Sequence, residues 1–517
     1  MVRVPAIWLT ELYTPTTLGG LVDRLPSLMA KARNQHPERG DIVEWLQDAR
    51  RRGGGAWRAL PNVTSADAGI RTSDWIIDRL PEQVASVTWG IYALTSTVTA
   101  VTALFELKED HAAALQRIVD QDVSTRAIVT PRDGYTISDV RSLKQQAANK
   151  WREELRAGAS MWLADRLPGS FHRLHPGELP AVELLVTERQ LPWDEREARP
   201  QPRRGWTLLL DLESFDGYWQ CRALPWLRLR ERRSHGWGNN PRHLLTLGAL
   251  RQGLLSLSIT RAVAQAPDFV LAEAIHFIHF YVVPLANRRA LTALLAELDE
   301  QLAATRDLTE RASAARSPKA LDQVRRQLVT TGLESQLVAN DIAAFARDEQ
   351  SWKHEFLDFS LVLPAALTAS PDQGNDVPQV RASRSHWGIR LRRRTKAEKD
   401  SSQRGEGGAQ EQSSAAGTAS LAESLRQGQI ERGAVVAESE AKVRELINTS
   451  VQLTATAENI RLQRRVWWLT AFSAIVAVIA AAPAVIALRA PSSSAPSPAA
   501  KPSISRPAST LPTPLAS

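Results

Sequence analysis

The spacing of apolar residues changes several times along this chain, and each change marks an element. Ala6–Tyr13 (AIWLTELY) is an apolar run of strand length. Leu18, Leu21, Leu25 and Leu28 step by three and four within Thr17–Arg33, which predicts a helix, and Asp41–Arg51 reads as a second one. Trp89–Leu107 is rich in Thr and Val, with Leu94, Val98 and Leu104 on one face and Thr95, Thr97 and Thr99 on the other. Such alternation predicts a long strand, or two with a bend, covered on one side. Glu109–Val119 reads as a helix and Ser124–Thr130 as a strand closed by the turn residues Pro131–Gly134. Ser138 is placed to cap a helix to about Leu167, whose stripe is Val140, Leu143, Ala147, Trp151, Leu155, Ala159 and Trp162. Ala181–Thr187, Trp206–Leu212 and Cys221–Leu229 are further strand candidates, separated after the first by the charged, Pro-rich loop Pro192–Arg204. Consecutive strands without helices between them favour antiparallel pairing, so residues 1–240 are expected to form one α+β domain around an antiparallel sheet.

Helical spacing dominates from Pro241. Leu244–Val263 is amphipathic, Asp268–Asp307 is a long helical run interrupted by Pro284, and Ser317–Leu363 carries the stripe Leu321, Val324, Leu328, Val338, Ile342, Phe345, Trp352, Phe356 and Phe359. The short linker Leu308–Arg316 makes these two helices a long hairpin within residues 241–370, packed on the first domain. Residues 371–418 are basic, then polar and low in complexity, as in a flexible linker. Residues 419–465 return to helix as a stalk, with a weak heptad seam at Val436, Ser439, Val443, Leu446, Ser450, Leu453, Ala457 and Ile460, which predicts a coiled coil and a homo-oligomer through the stalk.

Val466–Leu488 then holds 23 residues without a charge. A hydrocarbon core of about 30 Å needs about 20 apolar residues in a helix, so this stretch is long enough to span a bilayer. Arg461, Arg464 and Arg465 precede it and Trp467 and Trp468 begin it, the basic and aromatic collar expected at a membrane interface. Residues 489–517, rich in Pro, Ser and Ala, cannot bury a core and are expected to be disordered. A second apolar stretch, Phe269–Leu285, is 17 residues long and contains Glu273, His276 and His279, which favours a core helix over a second span.

Charge and cysteine usage refine this picture. The net charge is +8 and the pI about 9.8. The excess is thickest before the apolar stretch, so an anionic cytoplasmic leaflet is a more economical partner than nucleic acid. Cys221 is the only cysteine, which excludes an intrachain disulfide and fits a reducing compartment. Met1–Thr10 lacks the layout of a signal peptide, so the N-terminal domain is expected in the cytoplasm and the C-terminal tail outside.

Three groups of residues carry candidate chemistry. Glu273, His276 and His279 are three apart on one helix, a spacing that suits either a metal site or histidines satisfied within a core. Asp211, Glu213 and Asp216 gather at a strand end with His235 on a nearby Gly-rich loop, and suit either a divalent cation or a water-facing turn. Arg381–Lys399 mixes Trp387 with Arg390, Arg392, Arg393 and Arg394, as in a segment that adsorbs to an anionic membrane surface or in a solvated linker. No phosphate loop, no G-x-S-x-G and no H-E-x-x-H occurs.

A cytoplasmic α+β head, long helices and a C-terminal span together resemble the layout of CorA-type ion channels. That family has two spans with a Gly-Met-Asn loop between them. Here there is one span, and Met1, Met29 and Met161 lie far from it, so no residue role carries over. The expected function is therefore a membrane-anchored cytoplasmic scaffold or signalling protein with an unidentified cytoplasmic protein partner, no cofactor and no catalysis. The alternatives are a metal-dependent enzyme built on Asp211, Glu213 and His235, and a subunit of a membrane channel or transporter.

Overall fold

The computed structural model describes residues 1–31, 40–66, 75–124, 126–130, 134–138, 140–193, 209–210, 212, 217–231, 244–257, 267–315, 317–348, 358–363 and 419–488. They fall into two compact units, Met1–Ser450 and Val451–Ser517.

The first unit is built on a mixed, mostly antiparallel sheet. In chain order its elements are β1 (Val2–Tyr13), α1 (Pro15–Ala30), α2 (Ile42–Arg51), β2 (Ala56–Ala59), β3 (Val63–Thr64), β4 (Ile76–Ile77), β5 (Val84–Ala93) and β6 (Thr99–Leu107). There follow α3 (Glu109–Ala112), α4 (Ala114–Asp120), β7 (Arg126–Thr130), β8 (Gly134–Ser138), α5 (Val140–Arg166), α6 (Ser170–Leu174) and β9 (Ala181–Thr187). Then come β10 (Tyr218–Cys221), β11 (Leu227–Glu231), β12 (Leu244–Leu250), α7 (Arg251–Leu255), α8 (Pro267–Ala314), α9 (Pro318–Arg347), β13 (Phe359–Val362) and α10 (Leu421–Leu488). The main sheet runs β13-β10-β11-β12-β9-β1-β6-β5-β3-β4, with β2 also paired to β5. Among the described strands, only β9 with β12 and β3 with β4 run parallel. β7 and β8 form a separate hairpin.

Local chemistry explains the well-placed starts and stops. Asp41 caps α2 by accepting from Val43 N at 2.7 Å, and Pro15 opens α1 where a missing N–H costs nothing. Ser317 caps α9 with Pro318 at its first turn, which folds α9 back on α8. The Arg288 guanidinium of α8 then lies 3.6 Å from the ring centroid of Phe345 in α9, as antiparallel packing of the two helices requires.

β1 lies centrally and is buried on both faces. Trp8 and Ala6 join Leu104, Leu184, Leu245 and Leu247 against Ala274, Ile275, Ile278 and Val282 of α8. On the other face Phe105 and Trp89 meet Trp162 of α5, with ring centroids 5.6 and 5.4 Å apart. The expectation of a strand pair covered on one side is corrected here. β5 and β6 are a hairpin turning at residues 94–98, and helices cover both faces, so Thr99, on the face opposite Leu104, is buried too.

Several boundaries differ from the periodicity. The start of Leu244–Val263 is not helix but β12, parallel to β9. In LLTLGAL, Leu245, Leu247 and Ala249 alternate onto the α8 face while Thr246 donates to Glu183 at 2.7 Å on the other, a period of two that an all-apolar run conceals. Cys221–Leu229 is two strands, β10 and β11, separated by a turn. α9 ends at Arg347, and Phe359, placed by its stripe on that helix, instead starts β13 on the sheet edge beside β10. Ser138 ends β8 instead of capping α5. The sheet thus continues past residue 240 through β12 and β13. Trp352, Phe356 and most of Trp206–Leu212 lie outside the described residues.

The part of α10 that belongs to the first unit is packed within it. Leu421, Leu425, Gln429, Val436, Glu440, Val443, Ile447 and Ser450 form its buried stripe. Gln429 donates to the carbonyl of Arg288 at 2.7 Å, and Ser439 lies 3.3 Å from Asp299. Of the heptad seam, Val436, Val443 and Ser450 are therefore buried inside their own chain, whereas Leu453, Ala457 and Ile460 are exposed.

In the second unit, every residue of α10 from Ala455 to Ala480 except Ala471 is exposed. Among the described residues α10 is the one helix long and apolar enough to cross a membrane, and its apolar window buries nothing within the protein.

Candidate functional site

α8 crosses the sheet face with an unusual set of polar residues in an apolar run, and each has found its own partner. His276 pairs with Glu106 of β6 at 2.9 Å, and Glu106 also accepts from Ser86 at 2.7 Å. The hydrogen bond to Glu106 raises the His276 pKa above the ordinary imidazole value. His279 points elsewhere: its Nδ1 accepts the indole N–H of Trp8 at 3.0 Å. Burial, with His276 nearby, lowers its pKa to about 4. Nδ1 is the acceptor, so the ring is neutral with its proton on Nε2. Glu273 lies one turn before His276. The two histidines thus serve different strands of the sheet, and no group of three His, Cys, Asp or Glu among the described residues is placed to hold a metal ion.

Asp211, Glu213, Asp216 and His235 lie outside the described residues, as do Trp387, Arg390, Arg392, Arg393 and Arg394. Cys221 is buried in β10, where burial raises its thiol pKa and Leu224 N donates to Sγ at 3.3 Å. Arg461, Arg464, Arg465, Trp467 and Trp468 are all exposed on α10, the two indoles meeting edge to face at 5.8 Å.

A cavity of about 260 Å³ lies where α8 passes the β2–β5 edge of the sheet. One side is α8: His279, Val283 and Asn287 repeat every four residues, as do Phe280, Pro284 and Arg288 beside them. Opposite stand Gly55, Ala56 and Trp57 of the loop and β2, and Tyr92 and Ala93 of β5 with Leu94 of the turn after it, with Phe345 of α9 closing the end. Trp57 and Tyr92 are register partners across β2 and β5, and their rings stack at 6.1 Å and 18°. Pro284 has no N–H for the carbonyl of Phe280, which leaves one backbone acceptor on this stretch of α8. Trp57 and Phe280 are 58% and 65% exposed, far more than most aromatic side chains in this unit.

The polar groups on this wall are fixed from behind. Thr10 and Thr102 share a hydrogen bond of 3.1 Å, and Thr102 donates to Asn287 Oδ1 at 2.6 Å. That orients the carboxamide, leaving its N–H groups without a hydrogen bond to any described residue. The same holds for Nε2–H of His279, whose other nitrogen is taken by Trp8. Asn287 is 4% exposed and His279 8%.

Composition and periodicity do not reveal this cavity, because Trp57 and Tyr92 are far from α8 in sequence. The available signal is Pro284 within a helical run, flanked at four-residue spacing by polar residues on an otherwise apolar stretch. Comparison with family models, with curated proteins and with solved structures found no match for this chain.

Proposed function

We propose that this chain is a membrane-anchored cytoplasmic scaffold or signalling protein that acts without catalysis: its first unit recognises a partner, and α10 holds it at the bilayer. The observation that supports this most is the contrast within α10. Residues up to 450 bury a regular stripe in the first unit, while the apolar residues from Val466 to Ala480, Ala471 excepted, are exposed, a surface that water solvates poorly and lipid solvates well. The basic and aromatic collar from Arg461 to Trp468 orients the helix with its N-terminal side in the cytoplasm.

The test uses the full-length chain in cells. It should stay in the membrane pellet after alkaline carbonate extraction. The double variant Val476→Arg, Ile479→Arg should move to the soluble fraction, since an Arg at a helix centre costs about 2.5–3.5 kcal/mol on insertion. An epitope at the C-terminus should be accessible to external protease and one at the N-terminus protected. A wild-type chain extracted by carbonate, or the reverse protection pattern, overturns the proposal.

A further inference from the structure

We propose that the cavity between α8 and the β2–β5 edge is a binding site for a small aromatic carboxylate. It stands apart from the anchor, because every wall residue belongs to the first unit.

The chemistry of the wall selects the ligand. Side-chain polarity there comes from His279, Asn287 and Arg288, aside from the Tyr92 hydroxyl, and no Asp or Glu among the described residues lines the cavity. His279 presents Nε2–H and Asn287 its amide N–H groups, and both are held in that orientation by Trp8 and Thr102. Both donors face the cavity and make no hydrogen bond to a described residue, so an acceptor that enters can take them. Arg288, on the same wall with its guanidinium over Phe345, makes an anionic acceptor the better fit. The remaining walls, Trp57, Tyr92, Phe280, Phe345, Leu94 and Val283, are flat or apolar and suit a ring. A cavity of about 260 Å³ has room for one aromatic ring with a short acidic side chain. The carboxylate then accepts from His279 and Asn287, and the ring lies against Trp57 and Phe280 at the exposed side.

Titration calorimetry on the full chain in phosphatidylcholine nanodiscs tests this, with phenylacetate as the probe. Phenylacetate should bind saturably at one site per chain. Phenylacetamide, which keeps the ring and loses the charge, should bind at least tenfold more weakly, and phenethylamine should not bind. Val283→Phe fills the cavity from the α8 wall and should abolish binding. Trp57→Ala removes only an exposed wall, leaves melting unchanged, and should weaken binding at least fivefold. Absence of phenylacetate binding at millimolar concentration, equal or tighter binding of phenethylamine through the Phe280 carbonyl, or wild-type affinity in a folded Val283→Phe or Trp57→Ala chain would each overturn the assignment.

Discussion

The indole N–H of Trp8 donates to Nδ1 of His279 at 3.0 Å, joining the central strand to α8 across most of the first unit's sequence. The bond requires a neutral imidazole, and burial with the nearby His276 keeps it neutral by lowering its pKa to about 4. An unfolded histidine takes up its proton near pH 6.5, before the folded one does. The stabilisation from neutral His279 is therefore complete above pH 6.5 and is lost as pH falls toward 4, a difference of about 3 kcal/mol. Denaturant unfolding at pH 7, 5.5 and 4 should show this slope in the wild type, and His279→Leu should flatten it by a comparable amount.

Glu11 should give the opposite slope. Its carboxylate is fully buried and accepts from the backbone N–H groups of Leu12, Phe171 and His172 at 2.9, 2.8 and 3.0 Å. Desolvation outweighs those bonds and raises its pKa to about 7. The folded state holds the proton after the unfolded chain has lost it, so this contribution is present below about pH 4.5 and disappears by pH 7. Glu11→Gln keeps an acceptor and cannot ionise. The stability difference between variant and wild type should shift in favour of Glu11→Gln by about 3 kcal/mol between pH 4.5 and 7.5, measured by urea unfolding at each pH.

Asp341 fastens the β5–β6 turn to α9, accepting from Thr97 N at 3.0 Å and from the Thr97 hydroxyl at 2.7 Å, as well as from Ser96. Asp341→Ala leaves these donors to water at best and should lower stability by about 2–3 kcal/mol, the range for hydrogen bonds to a charged group. Asp341→Asn, which still accepts, should lose less than half of that, as read by the shift in melting temperature at fixed pH.

These contacts explain which parts of the structure were legible in the sequence. Short elements with local signals read correctly: Asp41 marked the start of α2, and Ala181–Thr187 is β9 as its length and composition indicate. Elements defined by long-range burial did not. β12 looks helical because both of its faces are buried, six of its seven positions in all, and only its pairing with β9 and β11 separates one face from the other. Phe359 fits the stripe of α9 by spacing, yet it completes a sheet edge whose partner, Cys221, is distant in sequence. The histidines of α8 were legible as unusual residues, but their roles depend on Glu106 and Trp8, which no spacing rule connects to them. The cavity was illegible for the same reason, since its two sides meet only once the sheet and α8 have formed.

Packing of α10 in the first unit depends on two glycines with opposite surroundings. A Cβ on Gly433 would lie 3.0 Å from the Ala339 carbonyl oxygen and 3.0 Å from Ala343 Cβ, both on α9. One of those neighbours is backbone, so the helices must separate to admit a side chain. Gly433→Leu should cost about 1–3 kcal/mol by overpacking. Gly428, five residues earlier on the same helix, has no heavy atom within 4 Å of the point a Cβ would occupy. Gly428→Ala should instead stabilise the chain by up to about 1 kcal/mol, through helix propensity alone. Thermal unfolding of the two variants side by side separates close helix contact from a loosely associated α10: if Gly433→Leu melts with the wild type, α10 does not pack on α9 in solution.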